Sequence, residues 1–451
     1  MSNASEQQPQ QRTYSTTRPS AAAAEHAGRF TTFNTLLPSA GLYPRFGFHL
    51  SSARAPIYAL MLMLSFALLS TLPSAARANE LTLTVGYLEL IQHRPPLLSN
   101  VLPEPEDSGL QGAQLGLSDN NAGGRFLGQK FVLEPFRSDS IEALQQTAKQ
   151  WHQQGITTFV VNLPAAELRQ LAASFKPGEA LLFNIGSSSN ALRNQQCLSN
   201  VLHTLPSRAM LTDALAQWLS ARRLKEWFLI HGQRPGDLAY RDSLKRSAKR
   251  FGGKIVAQKP WSFDTDLRRV AQREVPLFTQ GEDYDTIVVA DELGDFGEFI
   301  LYNTWLPRPV VGTQGLTAVG WHRVVEQWGA AQLQSRFDKQ AKRWMNSTDY
   351  AAWIALRSVG EALAQQGKTD AKSLQQLLLS EQFQLAGFKG RKLSYRSWNG
   401  QLRQPIALVH PRALVSQSPQ QGFLHPRTEL DTLGFDQPES QCQNLLDGVN
   451  R

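Results

Sequence analysis

The sequence predicts an α/β protein of two doubly wound lobes, each built on a parallel sheet with helices on both faces. Three observations carry this. From residue 81 onward, apolar runs of about six residues alternate with helical stretches of roughly ten to fifteen. Runs such as 156–161 (ITTFVV) and 285–290 (DTIVVA) are apolar throughout, as strands covered on both faces require. The alternation stops in the polar stretch Gly186-Ser187-Ser188-Ser189-Asn190 and starts afresh at Arg208, so a second sheet follows the first.

The order of elements begins with a strand at 81–87 (LTLTVGY), ending in Leu88-Glu89-Leu90. Residues 92–108 hold four prolines and no periodicity. They read as a loop, long enough to suggest a role of its own. Leu110, Ala113, Leu115 and Leu117 then recur at helical spacing. Asn120-Asn121-Ala122-Gly123-Gly124 is expected to stop that helix, because Asn and Gly tolerate left-handed backbone. A strand follows at 130–136, then a helix at 140–154 capped by Ser138, Asp139 or Ser140 and stopped by Gly155. The strand at 156–161 leads to a helix opened by Pro164, and 179–185 is the next strand. The second half runs helix 208–222, strand 227–231, helix 237–251, strand 254–258, helix 264–280 broken by Pro276, strand 285–290, and a short strand and turn at 310–315. Amphipathic helices are expected at 324–345 and 349–366, with Trp328, Phe337, Trp344, Tyr350, Trp353 and Leu356 spaced for burial. Gly387, Gly390, Trp398-Asn399-Gly400 and 405–409 read as a hairpin. Beyond His410 the pattern fades into a tail, 411–451.

The first 78 residues read differently. Residues 1–44 are rich in Ser, Thr, Gln and Ala and show no pattern, as disordered chain does. Residues 57–72 (IYALMLMLSFALLSTL) are apolar, shorter than the ~20 residues of a membrane span, and preceded by Arg45 and Arg54. Pro73 and Ala76-Arg77-Ala78 follow, so a secretory signal peptide cleaved after about Ala78 is expected. No cysteine follows the cleavage point to take a lipid. The formal charge is +8, and six arginines against two glutamates in this leader supply half of it. The remaining excess is spread thinly, which fits a solvated surface and not a nucleic-acid face. In an oxidising compartment the two cysteines, Cys197 and Cys442, are expected to pair.

Motifs for chemistry are missing. The serine run lacks the Gly-x-Ser-x-Gly elbow. No His-Glu-x-x-His or Cys-x-x-Cys marks a metal. The glycines at 123, 124 and 128 follow a helix instead of a strand, so they do not form a dinucleotide loop. Asp291-Glu292 after a strand could be an acid/base pair, but adjacent carboxylates there are usually solvated. No enzyme activity, metal or cofactor is expected.

The order helix, NNAGG, Gly128, basic residue, strand resembles the opening of the type I periplasmic solute-binding proteins, the branched-chain amino-acid-binding family. So do Gly312-x-x-Gly315, the helix at 350–363 and the hairpin at 390–400. The segments LFNIGSSSNALRNQQCLSNVLHTLPSRAMLTDALAQWL, GTQGLTAVGWHRVVEQWGAAQLQSRF and LDTLGFDQPES are similar to substrate-binding proteins associated with PQQ-dependent alcohol dehydrogenase systems. The resemblance implies two lobes joined by a three-strand hinge: 80–203 with 323–384, and 204–322 with 385–410. It also implies a periplasmic setting, a small-molecule ligand held by hinge closure, an inner-membrane ABC permease as partner, and a monomer that binds no nucleic acid. A sensory ligand-binding module, or an auxiliary factor of the quinoprotein dehydrogenase, is the alternative. Strand ends and the family pattern together give Glu89, Asn162, Ser187, Ser188, Tyr240, Asp291, Gln314 and Trp321 as candidate ligand residues, with Trp321 and Tyr240 as stacking walls. Two departures matter. The third strand ends Asn162-Leu163-Pro164 without a hydroxyl, and Gln314 stands where amino-acid binders of the family carry an acid. A zwitterion would lose both anchors there, so a neutral or weakly polar solute is expected.

Overall fold

A computed structural model describes residues 80–93, 99, 101–262, 267–442 and 445, with no side-chain description for 267–269. The expected disordered leader and signal peptide lie outside these residues. Among the described residues, no helix is long and apolar enough to cross a membrane.

The chain folds into two lobes. The first has a five-stranded, wholly parallel sheet in the order β2-β1-β3-β4-β5. Its strands are β1 (Leu81–Leu90), β2 (Gln129–Ser138), β3 (Thr158–Asn162), β4 (Leu181–Asn184) and β5 (Val201–His203). Helices α1 (Leu110–Leu127), α2 (Ile141–Gln153) and α3 (Ala165–Ala172) connect them. Both faces of this sheet are buried, which explains the unbroken apolar runs. Val160, Leu181 and Phe183 enter one core, while Phe159, Val161 and Leu182 enter the opposite one.

The second sheet has seven strands, ordered β15-β14-β10-β9-β8-β6-β7. Five are parallel: β6 (Glu226–His231), β7 (Lys254–Pro260), β8 (Thr286–Ala290), β9 (Val310–Gly312) and β10 (Leu316–Val319). Helices α4 (Arg208–Ala221), α5 (Pro235–Phe251), α6 (Leu267–Thr279) and the single turn α7 (Gly297–Ile300) accompany them. Leu229 and Val288 pack in one core, Phe228 and Val289 in the other.

The chain then returns to the first lobe through α8 (Ala330–Ala341), α9 (Ser347–Gln366) and α10 (Ala371–Leu378). A small antiparallel sheet of β11 (Leu385–Ala386), β12 (Lys392–Tyr395) and β13 (Leu402–Arg403) leads back. The antiparallel pair β14 (Ile406–His410) and β15 (Ala413–Ser418) then extends the second sheet. Three crossings thus join the lobes: 204–207, 320–329 and the segment through the small sheet.

Several expectations change. The NNAGG stretch does not end α1, which runs on to Leu127 and stops at Gly128, whose φ of 63° is the left-handed cap. Its small and amide residues serve packing instead. A Cβ on Gly112 or Gly116 would strike the backbone or side chains of α9. Asn120 donates to Leu356 O at 2.7 Å. Asn121 closes both ends of a side-chain bridge to the Phe131 backbone, at 2.9 and 2.8 Å. The helix expected at 324–345 is shorter, because Trp328 and Gly329 take positive φ of 57° and 82°. Trp328 and Trp344, expected in the core, are 43% and 53% exposed. Phe337, Tyr350, Trp353 and Leu356 are buried. Past His410 the chain is not a featureless tail, since Ala413–Ser418 pairs with β14 across the edge of the second sheet.

Candidate functional site

In a parallel α/β sheet the carboxyl ends of the strands are where ligands bind, and here each lobe offers one such face. In the first lobe, Glu89 closes β1 and is 7% exposed. It accepts from the Tyr87 hydroxyl at 2.9 Å and from both edges of the Arg137 guanidinium at 3.1 Å. Burial first, and Glu89 next, push the Tyr87 phenol well above its ordinary range. Asn162 is half-buried at the end of β3.

The serine loop follows β4 and is held from beneath. Asn184 Oδ1 accepts from the Ser187 amide at 2.9 Å, and its Nδ2 donates to Ser187 O at 2.8 Å. Arg193, 1% exposed, donates to Ser187 O at 2.8 Å, Ser189 O at 3.0 Å, Leu205 O at 3.0 Å and Gln401 Oε1 at 2.9 Å. All four partners are neutral. Burial therefore pulls its guanidinium down to about 9, with Arg208 adding to the effect. Burial and Arg193 keep the His203 imidazole well below its ordinary value, so it stands neutral beside Asn184 at 2.9 Å. The Ser188 hydroxyl has no partner among the described residues.

The same loop touches the second lobe. Asn190 donates to Ser243 Oγ at 2.7 Å and accepts from the Ala209 amide at 2.9 Å. Ser188 O accepts from the Arg208 amide at 3.0 Å. Nearby, Val101 of the first lobe packs against Gly294 of the second.

The strand ends of the second lobe carry four acids, each engaged within the protein. Asp291 accepts from the amides of Asp295, Phe296 and Gly297 at 2.9, 2.8 and 2.7 Å, which orders the entry to α7. Glu292 is bidentate with Arg208 at 2.6 and 2.7 Å. Asp237 accepts from the amides of Glu292 at 2.8 Å and Arg234 at 3.2 Å, and burial raises its carboxyl. Asp295 pairs with Arg234 at 2.6 Å. Gln314 is half-buried over Gly297.

Tyr240 is 3% exposed within the second core, its hydroxyl pushed up by burial and then by Glu292. Trp321 is 2% exposed and stacks on Tyr350 with centroids 4.5 Å apart and planes 6° from parallel. The two rings thus fill cores; neither stands as an open wall. Among the described residues no cluster could hold a metal. A surface depression of about 520 Å³ is lined by α2 residues alone, Glu142 to Gln153. Sequence reasoning missed Asn184, Arg193 and Arg208. Amides and arginines in a sequence look like solvated side chains, and only the fold brings these against the loop.

Cys197, beside this loop, is bonded to Cys442, 245 residues away.

A sequence profile described as "periplasmic binding protein" matches residues 103–274. No curated protein matches the chain. Among solved structures, a branched-chain amino acid ABC transporter periplasmic ligand-binding protein from Burkholderia xenovorans is 16% identical, covering 80% of this chain and 100% of its own, with a TM-score of 0.61. A periplasmic binding protein from Burkholderia mallei is 15% identical over 80% and 98%, TM-score 0.56. An ABC-transporter solute-binding protein from R. palustris, in complex with benzoate, is 11% identical over 80% and 99%, TM-score 0.55. At such identities the likeness is one of architecture, and this chain has the two-lobed α/β fold of the type I periplasmic binding proteins.

Proposed function

We propose that this protein is the periplasmic solute-binding component of an ABC transporter, and that it traps a small molecule between its lobes by hinge closure. The fold and the profile match support solute binding. The observation that carries the ligand class is the state of the acids. Asp291, Glu292, Asp237 and Asp295 all accept from backbone amides or arginines of the protein itself. No acid at these strand ends is left over for an ammonium, and Gln314 is neutral. Facing them, the Ser188 hydroxyl and the Asn162 amide can hydrogen-bond an oxygen of a solute. A neutral or weakly polar oxygenated molecule fits, and an amino-acid zwitterion does not. The resemblance of three segments to proteins associated with quinoprotein alcohol oxidation supports a solute among short alcohols and their oxidation products. The chain acts by binding and has no catalytic role. Its partner is an inner-membrane permease, which it meets as a monomer.

A thermal-shift panel tests this. It would hold short alcohols, their aldehydes and acids, benzoate, PQQ and branched-chain amino acids. A ligand at 100 times its Kd adds about 2.7 kcal/mol, a shift of a few degrees. A shift with alcohols, aldehydes or their acids is expected. One with leucine or isoleucine would overturn the ligand class. Silence throughout would favour an auxiliary factor of the dehydrogenase, and turnover of an alcohol would favour an enzyme.

A further inference from the structure

The segment 429–442 touches both lobes and the hinge between them. In the hinge, Arg396 is 1% exposed and donates to Asp431 Oδ1 at 2.8 Å and to Leu433 O at 2.7 Å. Arg403 joins it on Asp431 at 2.8 and 3.0 Å. On the second lobe, the Gly434 amide donates to Asp213 at 2.8 Å, while Gly434 O accepts from Arg246 at 2.9 Å and Arg250 at 2.7 Å. Glu439 pairs with the same two arginines. On the first lobe, Ser440 donates to Arg193 O at 3.1 Å, the Gln441 amide donates to Asn194 at 2.8 Å, and Cys442 is bonded to Cys197.

Three backbone crossings are what a hinge of this fold turns on. Here a fourth connection runs beside them, ionic at one end and covalent at the other. Arg193, whose carbonyl accepts from Ser440 close to the covalent end, also donates to Ser187 O beneath the serine loop. We propose that 429–442 is a strap that limits how far the lobes open, with the Cys197–Cys442 bond as its latch. Rotating the lobes apart stretches the path from Gly434 to Cys442, which spans only eight residues and is shortened by a turn in which the Glu439 and Ser440 amides donate to Asp436 O at 3.0 and 2.9 Å. Release of the bond leaves the end on the first lobe held only by the hydrogen bonds of Ser440 and Gln441 and by Leu445 in the first core, with the anchors on Asp213, Arg246 and Arg250 in place. The inference rests on the two-lobed fold and not on the nature of the solute.

Amide hydrogen exchange on the purified protein tests it, read at the crossings 204–207, 320–329 and 387–405 and at strands β6 and β8. In the Cys197→Ser, Cys442→Ser double variant, exchange at the crossings should rise about tenfold or more, while β6 and β8 keep their protection. Small-angle scattering should show a larger radius of gyration for the same variant. An unchanged rate at the crossings overturns the strap. A uniform rise across crossings and strands also overturns it, because the bond then acts on overall stability alone. Should the double variant fail to fold, the wild-type protein reduced in its folded state by a phosphine gives the same readout. Glu439→Gln, which keeps the bond but weakens the far anchor, should raise exchange at the crossings by a smaller factor.

Discussion

The two faces that look at each other across the hinge solve opposite electrostatic problems. Beneath the first lies Arg193, a buried cation whose hydrogen bonds go to carbonyls and an amide. Beneath the second lie Asp291 and Asp237, buried anions satisfied by backbone amides. In both cases a charge orders a loop and the loop, not the charge, is left for the ligand. A charged residue at a strand end is therefore as much a builder of the site as a candidate to touch a solute.

Removing the cation should give the largest effect. Arg193→Met removes four hydrogen bonds and leaves Ser189 O and Gln401 Oε1 unpaired, at a cost of about 3 kcal/mol in chemical denaturation. A loss under about 1 kcal/mol would show that water can replace it and would break the comparison. Asp291→Ala strands three amides and should cost about 2–3 kcal/mol. Its solute affinity should fall only as far as α7 loosens. A selective loss of affinity at full stability would instead make Asp291 a direct ligand.

Between the two faces the hinge holds a further buried cation besides Arg396. Lys389 donates to Gly320 O and Gln404 Oε1 at 2.5 Å and to Pro405 O at 3.3 Å, and lies 4.5 Å over the Tyr350 ring. Gln404 in turn donates to Thr204 O at 2.7 Å, so one network touches all three crossings. Burial lowers the ammonium to about 7. In the unfolded chain it titrates near 10.4, so between about pH 7 and 10 the unfolded state binds the extra proton and stability rises with pH. Against Lys389→Met, the wild type should gain about 1.4 kcal/mol per pH unit at most from pH 7 to 9. A flat difference would mean that the carbonyls keep it charged. The smallest effect belongs to Glu292→Gln. Its pair with Arg208 is partly exposed, with side chains 25% and 18% accessible, and is worth about 0.5–1 kcal/mol.

Much of the α/β alternation was legible because both sheets are buried on two faces, so their strands stand out as apolar runs. Short strands such as Val201–His203 and Leu316–Val319 were missed, being only three and four residues long. The NNAGG segment misled for a physical reason. Asn and Gly favour helix ends when only local backbone is considered, but here they contact α9, more than 230 residues away. The candidate site divided in the same way. The serine loop could be read from its place after a strand. The use of Asp291 for amides, and of Trp321 for stacking on Tyr350, depended on partners that only the folded chain supplies.

The embrace of α1 by α9 also sets an order of assembly. The Gly109 amide donates to Asp349 across 240 residues of chain, and Asn120 reaches Leu356 across 236. The first lobe thus cannot finish its interior until nearly the whole polypeptide exists, whereas the five parallel strands of the second occupy one run, 226–319. Closing such long loops slows a lobe far more than it weakens it. In refolding, protection should therefore come first to β6 and β8 and later to β1 and α1, so the part of the molecule made first is the last to mature.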